Sequence, residues 1–573
     1  MSKQILSPGG LHEPLQRELQ HYVQERVVQR LWAKDASLWP KESINSNPAL
    51  AKMDWVSLHE TIPQFLEFLE GSFRSADADG FAVHALLSSE SLNLSARAFL
   101  QLPDVAPQRK LVIFDSLAPE LIQKNEEQLD LRRTLFVVSN KARFHLRDHC
   151  LFLYFREKLH ALVGNEASHQ FVAETEPGTY LASISRSYAF REMRPDVTAI
   201  PAAFCSLTQF GGMLMATGTA PREQISASVL QIQEVCSSAD VAENPALQLA
   251  AFLSSSIRAG RPYLAFVVPP ALIAYARRLA QTVGGGLARG TIGVIPIIWP
   301  LPSSTSGLRG HANFAILSYK YDEGNQVKKC IEELSATNEP FAHIRIEQPA
   351  DLLTETFKWE AATILASARL GADPFEIVQS HVPRALANEM LDSLEHGGNP
   401  LQRSSRLTNS FMQLYADGAT RSEISTLNLN EALRSFLRIA TPARHLSLII
   451  DIPRTEGLHE KFARLRNLLS STLGRPVLMA FGPYAVEYAE HFFRHSLPYG
   501  PCMLFTTDSW IDKVIPGAHY TFGQFHQILS LSEYDTLVHW RRPVIRLHLV
   551  PDFPAVLDQL LQAFEQALHR FQS

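Results

Sequence analysis

Short, almost wholly apolar runs alternate with longer amphipathic stretches through most of this chain, and that alternation constrains its fold more than any other feature. Residues 81–87 (FAVHALL), 110–114 (KLVIF), 135–138 (LFVV) and 170–174 (QFVAE) read as strands, and 59–73, 119–125 and 149–162 carry helical spacing. A run of four to seven apolar residues is too short for a core helix, and strands separated by helices imply a parallel sheet covered on both faces. The pattern then repeats. Residues 245–260 and 270–283 read as helices around a strand at 263–268, further strands fall within 290–298, 314–319 and 342–347, and a long helix at 351–370 stops at Gly371. A third section begins near Leu429, with a strand at 445–452, a helix at 458–473 and a last amphipathic helix at 554–571. Upstream, Leu15, Leu19, Val23, Val27, Val28 and Leu31 recur at helical spacing over 12–34, while 392–410, rich in Gly, Ser, Asn and Arg, reads as a linker. The expected organisation is a helical segment over 1–55, α/β domains over 56–225 and 226–400, and a linker with a C-terminal α/β region and terminal helix over 401–573.

Composition narrows the function classes. A chain of 573 residues exceeds one ordinary core, and 46% hydrophobic with 19% charged residues suits a folded globular protein. The net charge of −5 leaves no basic surplus for nucleic acid or anionic membranes as partners. The start, MSKQILSPGGLHEP, lacks the apolar core of a signal peptide, and the longest apolar run, 263–276, is interrupted by Pro269-Pro270. It falls short of the roughly 20 residues that a membrane-spanning helix needs, so a cytoplasmic protein is expected. Cys150, Cys205, Cys236, Cys330 and Cys502 are scattered and never in CxxC spacing, which argues against a disulfide framework or a zinc site. His145 and His149 share a helical spacing that can bind a metal, but no third ligand accompanies them, so neither metal nor cofactor is expected. Gly284-Gly285-Gly286 could cradle an anion, and its plain reading is a flexible turn.

Six stretches, taken in order, carry a family resemblance: RLWAKDASLW (30–39), LDLRRTLFVVS (129–139), FVAETEPGTYL (171–181), FKWEAATILASARLGADPFE (357–376), IPGAHYTFGQFHQIL (515–529) and RRPVIRLHL (541–549). They resemble bacterial phosphoglucose isomerase, specifically the isomerase part of transaldolase–phosphoglucose isomerase fusions. The resemblance implies α/β architecture: two SIS domains, each a flavodoxin-like three-layer sandwich with a parallel sheet, plus a C-terminal α/β extension. It also implies a homodimer with the site between domains, and interconversion of glucose 6-phosphate and fructose 6-phosphate through an enediol.

The motifs that would carry this chemistry have changed. A glycine-rich turn in the family corresponds to Ser88-Ser89-Glu90-Ser91-Leu92, where side chains obstruct close approach and Glu90 repels a phosphate. The S-K-S-G-T-T-like phosphate loop corresponds to Ser139-Asn140-Lys141-Ala142-Arg143, which keeps one hydroxyl in register and adds two cations. The resemblance places Ala203 where an arginine would steady the enediolate, and Gln281, near an alignment gap, where a glutamate would be the base. The family's late lysine is missing from 497–501 (LPYGP). Glu360, His311 and His495 remain as candidates for acid–base work, Glu360 being either paired inside a helix layer or exposed to the cleft. Ser139, Lys141, Arg143 and Arg494 are the candidates for holding a sugar phosphate. The favoured expectation is an impaired or inactive isomerase homologue that binds a sugar phosphate or pairs with a metabolic enzyme. Two alternatives stay open: an active glycolytic and gluconeogenic isomerase with a remodelled site, and a purely structural subunit.

Overall fold

Strands with no polar face need cover on both sides, and here they have it. β1 (Lys3–Ser7), β2 (Val83–Ser88), β3 (Lys110–Phe114), β4 (Thr134–Ser139), β5 (Phe171–Thr175), β6 (Glu192–Pro195), β7 (Tyr263–Val268), β8 (Ile295–Pro300), β9 (Ala312–Tyr319) and β10 (Phe341–Ile346) build two five-stranded sheets. The first, ordered β3-β2-β4-β5-β6, is parallel throughout. The second, β1-β10-β9-β7-β8, is parallel except for β1 at its edge. Every residue of β2, β4, β7 and β9 is buried, as central strands of a doubly covered sheet require. The structure, a computed structural model, describes residues 2–39, 53–88, 90–139, 146–195, 200–288, 293–320, 325–375, 382–440, 443, 445–453, 457–482, 500–550 and 553–572.

Both sheets belong to one compact unit, comprising Met1–Asp115, Glu127–Pro302 and Gly310–Ile377. Its core is shared by the helices Leu58–Ala78, Glu90–Leu100, Ser206–Thr217, Pro245–Arg258, Ile273–Leu287 and Asp351–Leu370. The last of these is buried without a break from Asp351 to Ser367, so it is a central helix with no solvent face, and it ends where Gly371 turns left-handed at φ 70°. The segment 12–34 is two helices, His12–Gln24 and Val27–Trp32, because Arg26 adopts φ 51° between them.

The second unit comprises Ser116–Glu126, Ser303–Arg309 and Val378–Ser573. Its sheet uses β11 (Leu407–Thr408), β12 (Met412–Ala416), β13 (Leu446–Asp451), β14 (Val477–Phe481), β15 (Cys502–Thr507) and β16 (Val544–Leu549), ordered β11-β12-β16-β15-β13-β14. The four strands from β16 to β14 are parallel, and β12 and β11 extend the edge antiparallel. Helices Leu429–Ala440, Leu458–Leu473 and Phe553–Gln572 pack into one apolar core, while Phe522–His539 pairs with Val382–Glu395. The fold class is therefore α/β, with parallel-dominated sheets. Among the described residues the cysteines are all free and buried, and no helix is long and apolar enough to cross a membrane.

Candidate functional site

Parallel strands all end on one edge, and in open α/β sheets ligands bind beside those carboxyl ends. In the first sheet β2 ends at Ser88 and β4 at Ser139, which are register partners. The carbonyl of Ser88 accepts hydrogen bonds from Asn93 Nδ2 at 2.9 Å and Arg147 Nη2 at 2.5 Å. Arg147 Nε in turn donates to Asp148 Oδ1 at 2.8 Å, both side chains being buried. The ion pair is locally neutral. Among the described residues two acceptors are left over: Asn93 Oδ1 and Asp148 Oδ2 are buried and have no hydrogen-bond partner there. A buried acceptor without a donor costs about 1–3 kcal/mol, so a donor group such as a hydroxyl would be stabilising at this edge.

Helix Glu90–Leu100 brings Asn93 to that edge and sends Ser95 into the core. There Ser95 Oγ donates to Gln209 Oε1 at 3.0 Å and accepts from Arg278 Nε at 3.2 Å. Arg278 Nη1 donates to Thr282 Oγ1 at 2.6 Å and to the carbonyl of Ala203 at 3.2 Å, and Nη2 lies 3.5 Å from Glu360 Oε1. Glu360 also accepts from Trp55 Nε1 at 3.0 Å and from the backbone N–H of Ser206 at 2.9 Å, which caps helix Ser206–Thr217 with a carboxylate. Arg278 and Glu360 are both 0% exposed. Burial pushes the Glu360 carboxyl above its ordinary range against the pull of Arg278, and burial likewise lowers Arg278. With every face enclosed, the pair holds four helices together and presents nothing to a substrate.

The structure thus joins two of the sequence-derived positions: the peptide of Ala203 is bound by the helix that carries Gln281. Gln281 itself is partly exposed, and among the described residues its buried Oε1 has no hydrogen-bond partner. Glu360 is paired inside the helix layer, Ser139 is buried at the end of β4, and His311 is exposed ahead of β9. Lys141, Arg143, His145, Arg494 and His495 lie outside the described residues. His149 is partly buried, which lowers its pKa, and meets Tyr180 edge-on at 6.0 Å. Among the described residues no group of three or more His, Cys, Asp or Glu side chains could hold a metal.

The glycine triplet is neither turn nor anion cradle. It lies inside helix Ile273–Leu287, and a Cβ on Gly286 would stand 2.4 Å from Thr363 Cγ2, one on Gly285 3.1 Å from Ala203 Cβ. The glycines let this helix approach its neighbours. Sequence reasoning passed over Arg278, Asn93, Arg147 and Asp148. The signal for Arg278 was its place on the buried face of its helix, in step with Tyr275, Thr282 and Gly286.

No family model matches the chain, and no curated protein matches its sequence. Solved structures do. A hypothetical protein from Thermus thermophilus superposes with a TM-score of 0.57 at 15% identity, over 68% of this chain and 100% of that one. A glucose-6-phosphate isomerase from Chlamydia trachomatis gives 0.49 at 16% identity, over 68% and 86%. The C-terminal domain of glucosamine-fructose-6-phosphate aminotransferase from Francisella tularensis gives 0.36 at 9% identity, over 56% and 96%. The likeness to the Thermus protein is one of fold.

Proposed function

We propose that this chain is a non-catalytic relative of phosphoglucose isomerase that binds a sugar phosphate at the carboxyl end of its first sheet. One observation carries the reading. Where aldose–ketose isomerisation requires a base and an anion-stabilising arginine facing the substrate, the corresponding positions hold Gln281 and Ala203, and the nearby cation, Arg278, is sealed against Glu360. A base is worth about 10²–10⁴-fold in rate, and one charge-stabilising donor about 10²–10³-fold. Losing both removes most of an isomerase's advantage. Binding needs neither. Ser139, with Lys141 and Arg143, would hold the phosphate, and Asn93 Oδ1 and Asp148 Oδ2 would accept from sugar hydroxyls. On this reading the protein works in the cytoplasm, as a homodimer or beside a metabolic enzyme.

The test is a coupled assay of fructose 6-phosphate conversion together with thermal shift in glucose 6-phosphate and fructose 6-phosphate. The expected result is no turnover above background in the wild type or in Gln281→Glu, and a rise in Tm with millimolar sugar phosphate, since a ligand that binds the native state stabilises it. Turnover typical of an isomerase sinks the non-catalytic half of the proposal. A flat Tm with both compounds sinks the binding half.

A further inference from the structure

The second unit has a sheet edge of its own, and its chemistry differs from that of the first. Helix Leu458–Leu473 carries the chain from β13 to β14 on one side, while Phe522–His539 carries it from β15 to β16 on the other. Adjacent strands β13 and β15 therefore send their chains in opposite directions, the topology that in open α/β sheets sets a crevice at the carboxyl ends. Asp451 ends β13. Its register partner is Thr506 of β15, whose partner is His548 of β16.

Polar side chains converge at this point. His526 Nε2, from helix Phe522–His539, lies 3.1 Å from Asp451 Oδ1. Glu120 Oε1 accepts from the backbone N–H of Trp510 at 2.8 Å. Thr506 Oγ1 and His548 Nδ1 are 2.9 Å apart, and His548 Nε2 lies 3.4 Å from Asp508 Oδ1, which also accepts from Gln527 at 2.7 Å. Asp451 is 3% exposed, His526 4% and Glu120 8%. Burial disfavours the imidazolium of His526, but the charge of Asp451, its hydrogen bond and the charge of Glu120 outweigh this and raise the His526 pKa. Two carboxyl groups thus flank one imidazole and favour its charged form.

The accounting of donors and acceptors is incomplete. Among the described residues, Asp451 Oδ2 and Glu120 Oε2 are both buried and both without a hydrogen-bond partner. A purely structural Asp–His pair would be favoured with its second oxygen satisfied, because a half-paired buried carboxylate costs more than an apolar side chain. Two unpartnered carboxylate oxygens in a topological crevice need donors. Two carboxyl groups against one imidazole disfavour a phosphate or a carboxylate beside their unpartnered oxygens, and among the described residues the cluster does not form a metal site.

We propose that this crevice binds a small non-anionic polyol or amino-polyol, whose hydroxyl or ammonium groups donate to Asp451 Oδ2 and Glu120 Oε2. The proposal does not rest on the reading of the first sheet. The full chain, labelled with 15N at histidine, is titrated with glucosamine and with glucose while the imidazole signals are followed, that of His526 being assigned by its loss in His526→Gln. The expected result is a saturable shift of the His526 signal by at least one of the two sugars, weakened about tenfold or more in Asp451→Asn and in Glu120→Gln, as for loss of a hydrogen bond to a charged group. Glu120→Gln, which leaves the Asp451–His526 pair intact, keeps the test open if Asp451→Asn fails to fold. A His526 signal unmoved by either sugar to about 50 mM, or equal affinity in wild type and Glu120→Gln, overturns the proposal.

Discussion

Substituting Glu360 by Gln should destabilise the first unit by about 3 kcal/mol, and the reasoning can be followed atom by atom. Breaking a buried ion pair by removing one partner costs about 3–5 kcal/mol, because the remaining charge stays buried and uncompensated. The lower end applies here: Arg278 keeps its bonds to Thr282 and the Ala203 carbonyl, and its approach to Glu360, at 3.5 Å, is longer than a hydrogen bond. The introduced amide could still accept from Trp55 or Ser206, but its NH2 group would face a guanidinium. Arg278→Met should cost less, about 2 kcal/mol. The stranded Glu360 would keep the Trp55 and Ser206 donors and the positive end of helix Ser206–Thr217. The double variant Arg278→Met/Glu360→Leu should fall within about 1 kcal/mol of wild type, since well-packed apolar replacements of a buried pair are often neutral. Urea unfolding followed by tryptophan fluorescence reads all four proteins, with fully buried Trp55, Trp299 and Trp359 reporting on this unit. A Glu360→Gln loss below about 1 kcal/mol, or a double variant as unstable as the sum of the singles, would refute the sealed-pair argument.

Two further outcomes test the surrounding packing. Gly286→Ala places a Cβ 2.4 Å from Thr363 Cγ2 and should destabilise by about 1–2 kcal/mol, as overpacking outweighs the better helix propensity of alanine. Gly284→Ala, whose nearest neighbour is Pro296 Cγ at 3.5 Å, should instead be neutral or stabilising, and equal melting temperatures for the two variants would contradict the close-approach role of Gly286. His84 is buried against Phe73, its Nε2 has no hydrogen-bond partner among the described residues, and burial, with Arg194 and Arg109 nearby, lowers its pKa to about 3. The unfolded chain therefore takes up this proton near pH 6.5 while the folded one resists, so the contribution is whole above pH 6.5 and is lost as pH falls toward 3. At pH 4.5 that amounts to about 3 kcal/mol, and His84→Phe should reduce the drop in urea midpoint between pH 7 and pH 4.5; an unchanged drop would show that His84 is not its source.

What the sequence disclosed follows the physics of each element. β7 and the helix Asp351–Leu370 were legible to the residue, the first as a uniform apolar run and the second because Gly371 ends it in a left-handed conformation. β1 was not. KQILS is a half-exposed edge strand whose existence depends on antiparallel pairing with β10, more than three hundred residues away. β6 (EMRP) has no apolar run to find. The expected linker at 392–410 begins inside helix Val382–Glu395, where composition suggested loop but the helix continues to Glu395. Helix Phe522–His539 escaped notice as a helix because polar residues such as His526, Glu533 and Thr536 are buried among its apolar ones, which blurs the period. The Arg278–Glu360 pair and the Asp451–His526 pair each join distant segments, and no local pattern announces such partners.

On the proposed reading, the local packing around Ala203 and Gln281 bears on whether an arginine and a glutamate could act there. Ala203 is tied by its carbonyl to Arg278 and Thr282, and its Cβ would meet any side chain grown on Gly285. A longer residue at 203 would have to find a path past that helix, so restoring an arginine requires repacking as well as substitution. A glutamate restored at 281 would lie on the same helix as Arg278, one turn further along, and would add a second carboxylate beside a cation that Glu360 already neutralises. On the proposed reading, the buried pair and the glycine contacts stabilise the scaffold without requiring a base and an arginine that face a substrate.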